Sequence, residues 1–256
     1  MSGVFNPCVL VPVYNHHQCL AKTIADIRSH GLPVVMVDDG SHEICKNLMQ
    51  QLAAADNKVV LVTKPANGGK GAAIKTGLQT AAQLGFSHAL QIDADGQHNS
   101  ADIPTFVQAA ESKPHTLIAG MPEYDASVPK GRLYGRYLTH VWVWINTLSL
   151  DIKDSMCGFR VYPVARSCEL IRAESMGDRM DFDTEFMVRW HWRHWSMQQL
   201  TTKVIYPELG VSHFKMWRDN KLISWMHTRL FFGMLWRLPK ILFHKTRPHK
   251  NDGGAA

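Results

Sequence analysis

The sequence is short of every feature that would mark a membrane-spanning, disulfide-stapled or zinc-built protein. Its longest apolar run, Leu230–Trp236 (LFFGMLW), is seven residues, against the ~20 that a spanning helix requires. The five cysteines (Cys8, Cys19, Cys45, Cys157 and Cys168) are odd in number and form no CxxC pair. That argues against a disulfide framework or a zinc site and fits a reducing compartment. Fourteen histidines include no HExxH, so zinc-hydrolase spacing is missing as well. The stretch MSGVFNPCVLVPVYN lacks the basic n-region and small-residue cleavage site of a signal peptide. A soluble or peripheral protein of the cytoplasm is expected.

Familiar nucleotide signatures are missing too. Gly71 follows Lys70, where a P-loop needs Ser or Thr to meet Mg²⁺. No GxGxxG follows the first strand, and no GxSxG nucleophile elbow occurs. Acidic residues are scarce in one region only: residues 211–256 hold nine Lys+Arg and two acids, whereas residues 1–210 hold 19 and 20. The net charge of +6 therefore lies in a tail also rich in Trp, Phe, Leu and Met. This is a local surface for an anionic partner, not the diffuse basicity of a nucleic-acid binder.

What is present is an ordinary globular composition, 45% apolar and 20% charged over 256 residues, enough to bury ~70–75% of the unfolded surface. Short β-branched runs (Cys8–Val13, Pro33–Asp38, Lys58–Thr63, Ser87–Ile92, His115–Ala119) alternate with helical stretches (His16–His30, Glu43–Asp56, Lys70–Leu84, Asp102–Ser112). That order predicts an α/β fold with a mostly parallel, doubly wound sheet and helices on both faces. From Gly120 the pattern loosens into a loop (Met121–Lys130), an aromatic helix (Leu133–Leu150) and a turn into a strand (Asp154–Tyr162). A helix (Asp183–Trp195) and a late strand (Thr201–Tyr206) follow. One domain is expected over residues 1–210, its halves dividing near residue 120. A basic aromatic helical segment over 211–246 and a disordered tail over 247–256 complete the chain.

In such sheets ligands bind outside the carboxyl ends of the strands. Polar residues cluster there four times: Tyr14-Asn15, Asp38-Asp39-Gly40-Ser41, Asn67-Gly68-Gly69-Lys70-Gly71, and Asp93-Ala94-Asp95-Gly96-Gln97-His98. Asp93 and Asp95, two apart, can converge on a hard divalent cation, Mg²⁺ or Mn²⁺, with Gln97 as a further oxygen. The bland alternative is a turn in which the Asp side chains satisfy backbone N–H groups. Asp38 and Asp39 suit a nucleobase imide or ribose hydroxyls, or simply a helix cap, which Ser41 alone could supply. The glycine-rich run offers backbone N–H groups and a positive helix end to a ligand.

The ordered set VPVYN, VDDGS, NGGKGAA, DADGQH and DSMCGFR resembles glycosyltransferase family 2, with the GT-A fold, and within it the dolichol-phosphate mannosyltransferase-like branch. The resemblance covers about residues 8–210. It implies an inverting, Mg²⁺- or Mn²⁺-assisted transfer of a sugar from a UDP- or GDP-sugar. Pro12, Tyr14, Asn15, Asp38, Asp39, Lys70 and Asp93 would then hold the donor, and Asp93, Asp95 and Gln97 the metal. Arg132, Arg136, Asp154 and Arg160 would face the acceptor or its phosphate. FDTEF (182–186) matches the family's acidic segment near the acceptor, making Asp183 the leading base and Glu185 its rival, with Arg136 the group that matters if no base is needed. In DSMCGFR, Cys157 stands where the family usually has Ser. Three departures touch the acceptor side: His16 replaces the acid that often follows YN, Gly210-Val211-Ser212-His213 loses a cation, and the C-terminal transmembrane pair of some bacterial relatives is not expected.

The chemistry leaves the acceptor open between a hydroxyl, which needs a base within reach, and a lipid phosphate, already an anionic nucleophile. Trp217, Trp225, Phe231, Phe232 and Trp236 lie among eight basic residues from Lys215 to Arg247, a composition suited to an anionic membrane surface. A lipid or lipid-linked acceptor on the inner face of the plasma membrane is therefore expected, with no nucleic-acid partner. Packing of this segment on the core is the alternative, and Pro239 is expected to break it. Two other functions compete: a sugar-1-phosphate nucleotidyltransferase, and a non-catalytic protein binding nucleotides or anionic surfaces. The first would want a basic glycine-rich loop after strand one, where the chain reads VPVYNHH.

Overall fold

The computed structural model describes residues 4–123, 130–204 and 216–245, without the side chains of 130–134 and 244–245. Among the described residues are seven strands and eight helices, alternating in the first half: β1 Pro7–Val13, α1 His17–Ser29, β2 Val34–Asp38, α2 Glu43–Ala55, β3 Val59–Thr63, α3 Lys70–Gln83, β4 His88–Gln91, α4 Ile103–Ser112 and β5 Leu117–Glu123. The second half adds α5 Lys130–Thr147, β6 Arg160–Pro163, α6 Val164–Ala173, α7 Phe182–Trp192, β7 Met197–Lys203 and α8 Met216–Lys245.

The strands form one sheet in the order β3-β2-β1-β4-β6-β5-β7. All pairings are parallel except those of β6, which runs antiparallel to β4 and β5. The chain moves outward from β1 through β2 and β3, then crosses back to β4 on the other side of β1. That reversal opens a crevice at the carboxyl ends of β1 and β4, where ligands settle in open α/β sheets. Period-two alternation divides the core: Cys8 and Leu10 of β1 pack with α3, α6, α7 and α8. Val9, Val11 and Val13 pack instead with α1, α2 and α4.

Several boundaries differ from the sequence reading. β5 runs through Glu123, because its pairing with β7 extends from Leu117 to Glu123 and carries the strand beyond its last β-branched residues. α6, Val164–Ala173, has no counterpart in that reading. Its apolar face is short, with Val164, Cys168 and Leu170 buried. The late strand lies earlier than expected, at Met197–Lys203, where its polar residues pair with β5. The tail over 247–256 and the segment Gly210–His213 lie outside the described residues.

Pro239 does not end α8. Proline removes one backbone hydrogen bond, to Leu235, a residue on the exposed side of the helix. Contacts on both sides hold the helix through that point. Arg237 stacks on Trp192 with its guanidinium 4.6 Å from the ring centroid, and Ile241 is buried. Met226, Leu230, Met234 and Ile241 join the same core cluster as Val143 of α5 and Trp190 and Trp192 of α7, so α8 packs on the body of the protein. Among the described residues, no helix is long and apolar enough to cross a membrane.

Candidate active site

The crevice is built from four strand ends. After β1, Asn15 adopts φ 59°; its backbone N–H donates to Ser41 Oγ at 3.1 Å, and its Oδ1 accepts from the His42 N–H at 2.8 Å. These bonds knit the β1 and β2 loops together. Pro12, Tyr14 and Asn15 are all half-buried along this seam.

The two acids after β2 have different fates. Asp39 is saturated: Lys64 forms an ion pair with Oδ1, the Gly68 N–H donates to Oδ1 at 3.0 Å and the Gly69 N–H to Oδ2 at 2.7 Å. Two backbone donors that the sequence offered to a ligand are thus spent on the protein's own carboxylate. Asp38 accepts the Ser41 N–H on Oδ1 at 2.8 Å, so it caps the turn. Its buried Oδ2 has no hydrogen-bond partner. An orphan buried acceptor at the carboxyl end of a strand is a costly arrangement that a donor would relieve. Gly40 keeps the turn closed: at φ 74°, a Cβ there would sit 2.6 Å from the Asn67 nitrogen.

Three charged groups meet beyond β4. Lys70, the first residue of α3, places its ammonium 2.8 Å from Asp93 Oδ2 and 3.0 Å from Asp183 Oδ2. Burial opposes its charge, but Asp183 and Asp93 outweigh that and hold the lysine well above its usual range. Burial likewise works to raise the Asp93 carboxyl, yet Lys70 and then His98, whose Nε2 lies 3.6 Å away, bring it well below the ordinary carboxylate range. Gln91 steadies Asp93 from the sheet, donating at 3.2 Å while accepting from the Tyr162 hydroxyl at 2.9 Å. Asp95 is half-buried and accepts the Gln97 N–H at 3.0 Å.

The donor set of Asp93 and Asp95 fits Mg²⁺ or Mn²⁺. Hard dications of this kind bind through one or two carboxylates and complete their shell with water and substrate phosphates. Among the described residues no group of three His, Cys, Asp or Glu side chains gathers to hold a metal alone. Gln97 contributes its backbone to Asp95; its side chain is half-buried.

Glycines let this cluster close. A Cβ on Gly158 would lie 2.4 Å from Asp93 Oδ2 and 2.9 Å from Lys70 Nζ, and one on Gly71 would lie 2.5 Å from Phe182 Cβ. The Ala72 N–H donates to the Asp178 carbonyl at 2.9 Å, so the start of α3 is clamped against the turn that leads into α7. Lys64 escaped the sequence reading, and His98 and Gly158 appeared there only inside motifs, with no role of their own. Gly158 had a signal, since it lies in the DSMCGFR segment; Lys64 had none, being one lysine at the end of a strand.

Asp183 and Glu185 open α7 and point apart, as two residues' separation on a helix dictates. Asp183 joins the Lys70 cluster, and its buried Oδ1 has no hydrogen-bond partner. Glu185 is wholly buried elsewhere. It accepts from Arg189 at 2.7 and 3.0 Å, from the Gly177 N–H at 2.8 Å and from Arg229 of α8 at 3.1 Å. Paired with two arginines, Glu185 ties α8 to α7 and lies apart from the Lys70 cluster that Asp183 joins.

The basic residues expected at the acceptor are also redistributed. Arg160 is fully buried and spends its guanidinium on the carbonyls of Cys157, Asp183 and Ser155 at 2.8, 2.8 and 2.6 Å. It props Asp183 from behind and presents nothing to a phosphate. Arg136 lies 2.6 Å from Asp154 Oδ2 through both Nε and Nη2, with His140 3.3 Å from the same oxygen. Asp154 also accepts the Met156 and Cys157 N–H groups at 2.9 and 2.8 Å, shaping the loop before β6. Burial works to raise its carboxyl, but the bonds from His140 and Arg136 lower it well below the usual range. Arg132 belongs to α5, and its side chain lies outside the described residues. Cys157, where the family resemblance expects serine, is buried with its thiol pushed up to about 12, so it is no nucleophile.

Residues 8–177 match the model of the family described as Glycosyl transferase family 2. The UDP-N-acetylglucosamine–dolichyl-phosphate N-acetylglucosaminyltransferase of Methanococcus voltae is 22% identical over 221 residues, covering 80% of this chain and 87% of that protein. The undecaprenyl-phosphate mannosyltransferase of Micrococcus luteus is 25% identical over 189 residues, covering 69% and 75%. Glucosyl-3-phosphoglycerate synthase from Mycobacterium tuberculosis, solved with Mn²⁺, UDP-glucose and phosphoglyceric acid, superposes with a TM-score of 0.61. That alignment covers 96% of this chain and 82% of that one at 14% identity, a likeness of fold.

Proposed function

The chain belongs to glycosyl transferase family 2, and from that premise we propose that it transfers a sugar from a UDP- or GDP-sugar to a polyprenyl phosphate at the cytoplasmic face of a membrane, with inversion and with Mg²⁺ or Mn²⁺. Its fold is that of the GT-A glycosyltransferases. The observation that carries the reading is the meeting at one sheet edge of the orphan Asp38 oxygen, the Asp93–Asp95 pair and Asp183.

In this reading Asp38 Oδ2 accepts an N–H or O–H of the nucleoside, and the Pro12–Asn15 seam bounds it. Bound at Asp93 and Asp95, the metal supplies Lewis-acid stabilisation of the charge that develops on the departing nucleoside diphosphate. An acceptor oxygen attacks the sugar C1 from the face opposite the diphosphate, one C1–O bond forming as the other breaks. A phosphate arrives as an anion and has no proton to lose, so Asp183 acts as the partner of Lys70 and not as a base. Relatives named for dolichyl and undecaprenyl phosphates support that choice. A hydroxyl acceptor is the second reading, favoured by Asp183 Oδ1, which accepts no hydrogen bond, though Arg160 lies 3.6 Å from it, and could take the proton.

The membrane part rests on α8. Trp225, Phe232, Trp236 and Phe243 recur at seven-, four- and seven-residue intervals, within about 20° of one line along the helix. They are 60%, 64%, 87% and 56% exposed, on the side away from the buried Met226, Leu230, Met234 and Ile241. Arg218, Lys221 and Lys240 lie among them. Aromatic side chains favour the headgroup boundary, and each nearby basic residue adds about 1 kcal/mol on an anionic leaflet. Helix α5 packs along α8, with Trp142 stacked on His227 at 5.9 Å, and exposes Tyr137, Leu138 and Val141.

Two measurements test the proposal. Thermal unfolding across a nucleotide panel should show a rise in Tm with UDP or GDP that is larger with Mn²⁺. Co-sedimentation should show binding to anionic vesicles at low salt, lost in a Trp225→Ser, Phe232→Ser, Trp236→Ser variant. Protein that stays in the supernatant in both forms removes the membrane from the account.

A further inference from the structure

Lys70 is placed where a cation of the reaction is expected. Its ammonium touches Asp93, the carboxylate read as a metal ligand, at 2.8 Å, and Asp183 at 3.0 Å. We propose that Lys70 is a resident counter-cation: in the metal-free protein it joins Asp93 to Asp183, and a dication binds Asp93 by exchange with it, the ammonium staying on Asp183. The inference rests on the metal reading given above.

Four features support exchange rather than a fixed structural ion pair. The lysine backbone is immobile, because Gly69 and Gly71 are pressed against Arg179 and Phe182 and the Ala72 N–H is bonded to Asp178. Any movement is therefore confined to the side chain. The Gly158 backbone walls one side, since even a Cβ there would lie 2.9 Å from Nζ. Asp183 Oδ2 already lies 3.0 Å from the ammonium and keeps hold of it when it leaves Asp93, while Oδ1 faces the Arg160 guanidinium at 3.6 Å. Finally, an ammonium and a dication on one carboxylate repel each other strongly in so enclosed a site, so the two compete for Asp93. The lysine keeps both acids charged and aligned until the metal arrives, and limits metal binding to occasions when substrate phosphates help to complete the shell.

The test is Mn²⁺ binding to the full-length protein, read as free Mn²⁺ by electron paramagnetic resonance, with and without UDP or GDP. Lys70→Met should bind Mn²⁺ without nucleotide on the order of tenfold more tightly than wild type, because the competing cation is gone. Lys70→Arg, which keeps the charge, should not gain affinity. Should the methionine variant fail to fold, Lys70→Gln keeps a donor to one carboxylate and gives the same readout. Equal or weaker Mn²⁺ binding in Lys70→Met and Lys70→Gln, with nucleotide-dependent binding intact in the wild type, overturns the exchange alone. No Mn²⁺ binding by any form, even with UDP or GDP, overturns the metal reading beneath it.

Discussion

Gly158→Ala is the smallest change that should reach the centre of the site. The added Cβ would stand 2.4 Å from Asp93 Oδ2 and 2.9 Å from both Asp93 Cγ and Lys70 Nζ. Relieving the first contact to 3.0 Å, below which Cβ contacts essentially never fall, moves the carboxylate or the strand by about 0.6 Å. Asp93 cannot swing aside freely, since Lys70 holds one oxygen and Gln91 the other. Overpacking a tight site costs about 1–3 kcal/mol. In a chain of this size that lowers Tm by roughly 2–12 °C, at about 2–4 °C per kcal/mol. Turnover should fall further than stability, on the order of ten- to a hundredfold, because misplacement approaching 1 Å is that costly to a reacting geometry. Thermal unfolding and sugar transfer, measured side by side, give both numbers. Gly135→Ala is the control, as a Cβ at that exposed helical position meets nothing within 4 Å; it should be neutral or stabilising by up to about 1 kcal/mol. Wild-type Tm together with wild-type turnover in Gly158→Ala would refute the packing argument.

Asp38→Asn should weaken nucleotide binding with or without metal, whereas Asp95→Ala should abolish only the Mn²⁺-dependent part; isothermal titration separates them, and identical losses would collapse the two roles into one. Glu185→Ala takes the carboxylate from Arg229 and leaves Arg189 with Glu174 alone, and should cost about 1.5–3 kcal/mol in urea unfolding; no loss there would mean that α8 is held by packing alone. Burial depresses His227 from 6.5 to about 4. The folded protein therefore binds its proton less readily than the unfolded chain, and stability present above pH 6.5 is lost as pH falls toward 4. The loss should approach ~3 kcal/mol in the wild type and be absent from His227→Gln, read as the difference in urea midpoint between pH 7 and pH 4.5; parallel pH curves for the two proteins would rule the histidine out.

The nucleotide half was legible because each of its strands is a short β-branched run closed by a polar turn, so periodicity and punctuation agreed. Asp38, Asp93 and Asp95 were singled out in this way and Asp183 through the family resemblance; Asp38, Asp93 and Asp95 follow the carboxyl ends of parallel strands, and Lys70 joins Asp183 to Asp93. What the sequence concealed were long-range pairings. Lys64 reaches Asp39, Arg229 reaches Glu185 and Arg160 reaches the Asp183 carbonyl across wide separations in the chain, and no spacing rule encodes such contacts. Arg160 and Glu185 are charged residues in a motif, which reads as chemistry; the structure buries both and pairs them within the protein. α6 was invisible because its buried stripe is narrow and it begins directly after a proline-ended strand. α8 defied the proline rule because packing on either side of Pro239 outweighs one lost hydrogen bond.

The central claim is transfer to a lipid phosphate, and one measurement addresses it most directly. Purified full-length protein, anionic vesicles containing polyprenyl phosphate, Mn²⁺ and a panel of radiolabelled UDP- and GDP-sugars would be incubated, and label counted in the organic phase. The account predicts a lipid-soluble product from at least one donor, with the anomeric configuration inverted, lost with Asp95→Ala and substantially kept with Asp183→Asn. Label that never enters the organic phase with any donor, while the same donors are consumed when soluble hydroxyl acceptors are supplied, would contradict it.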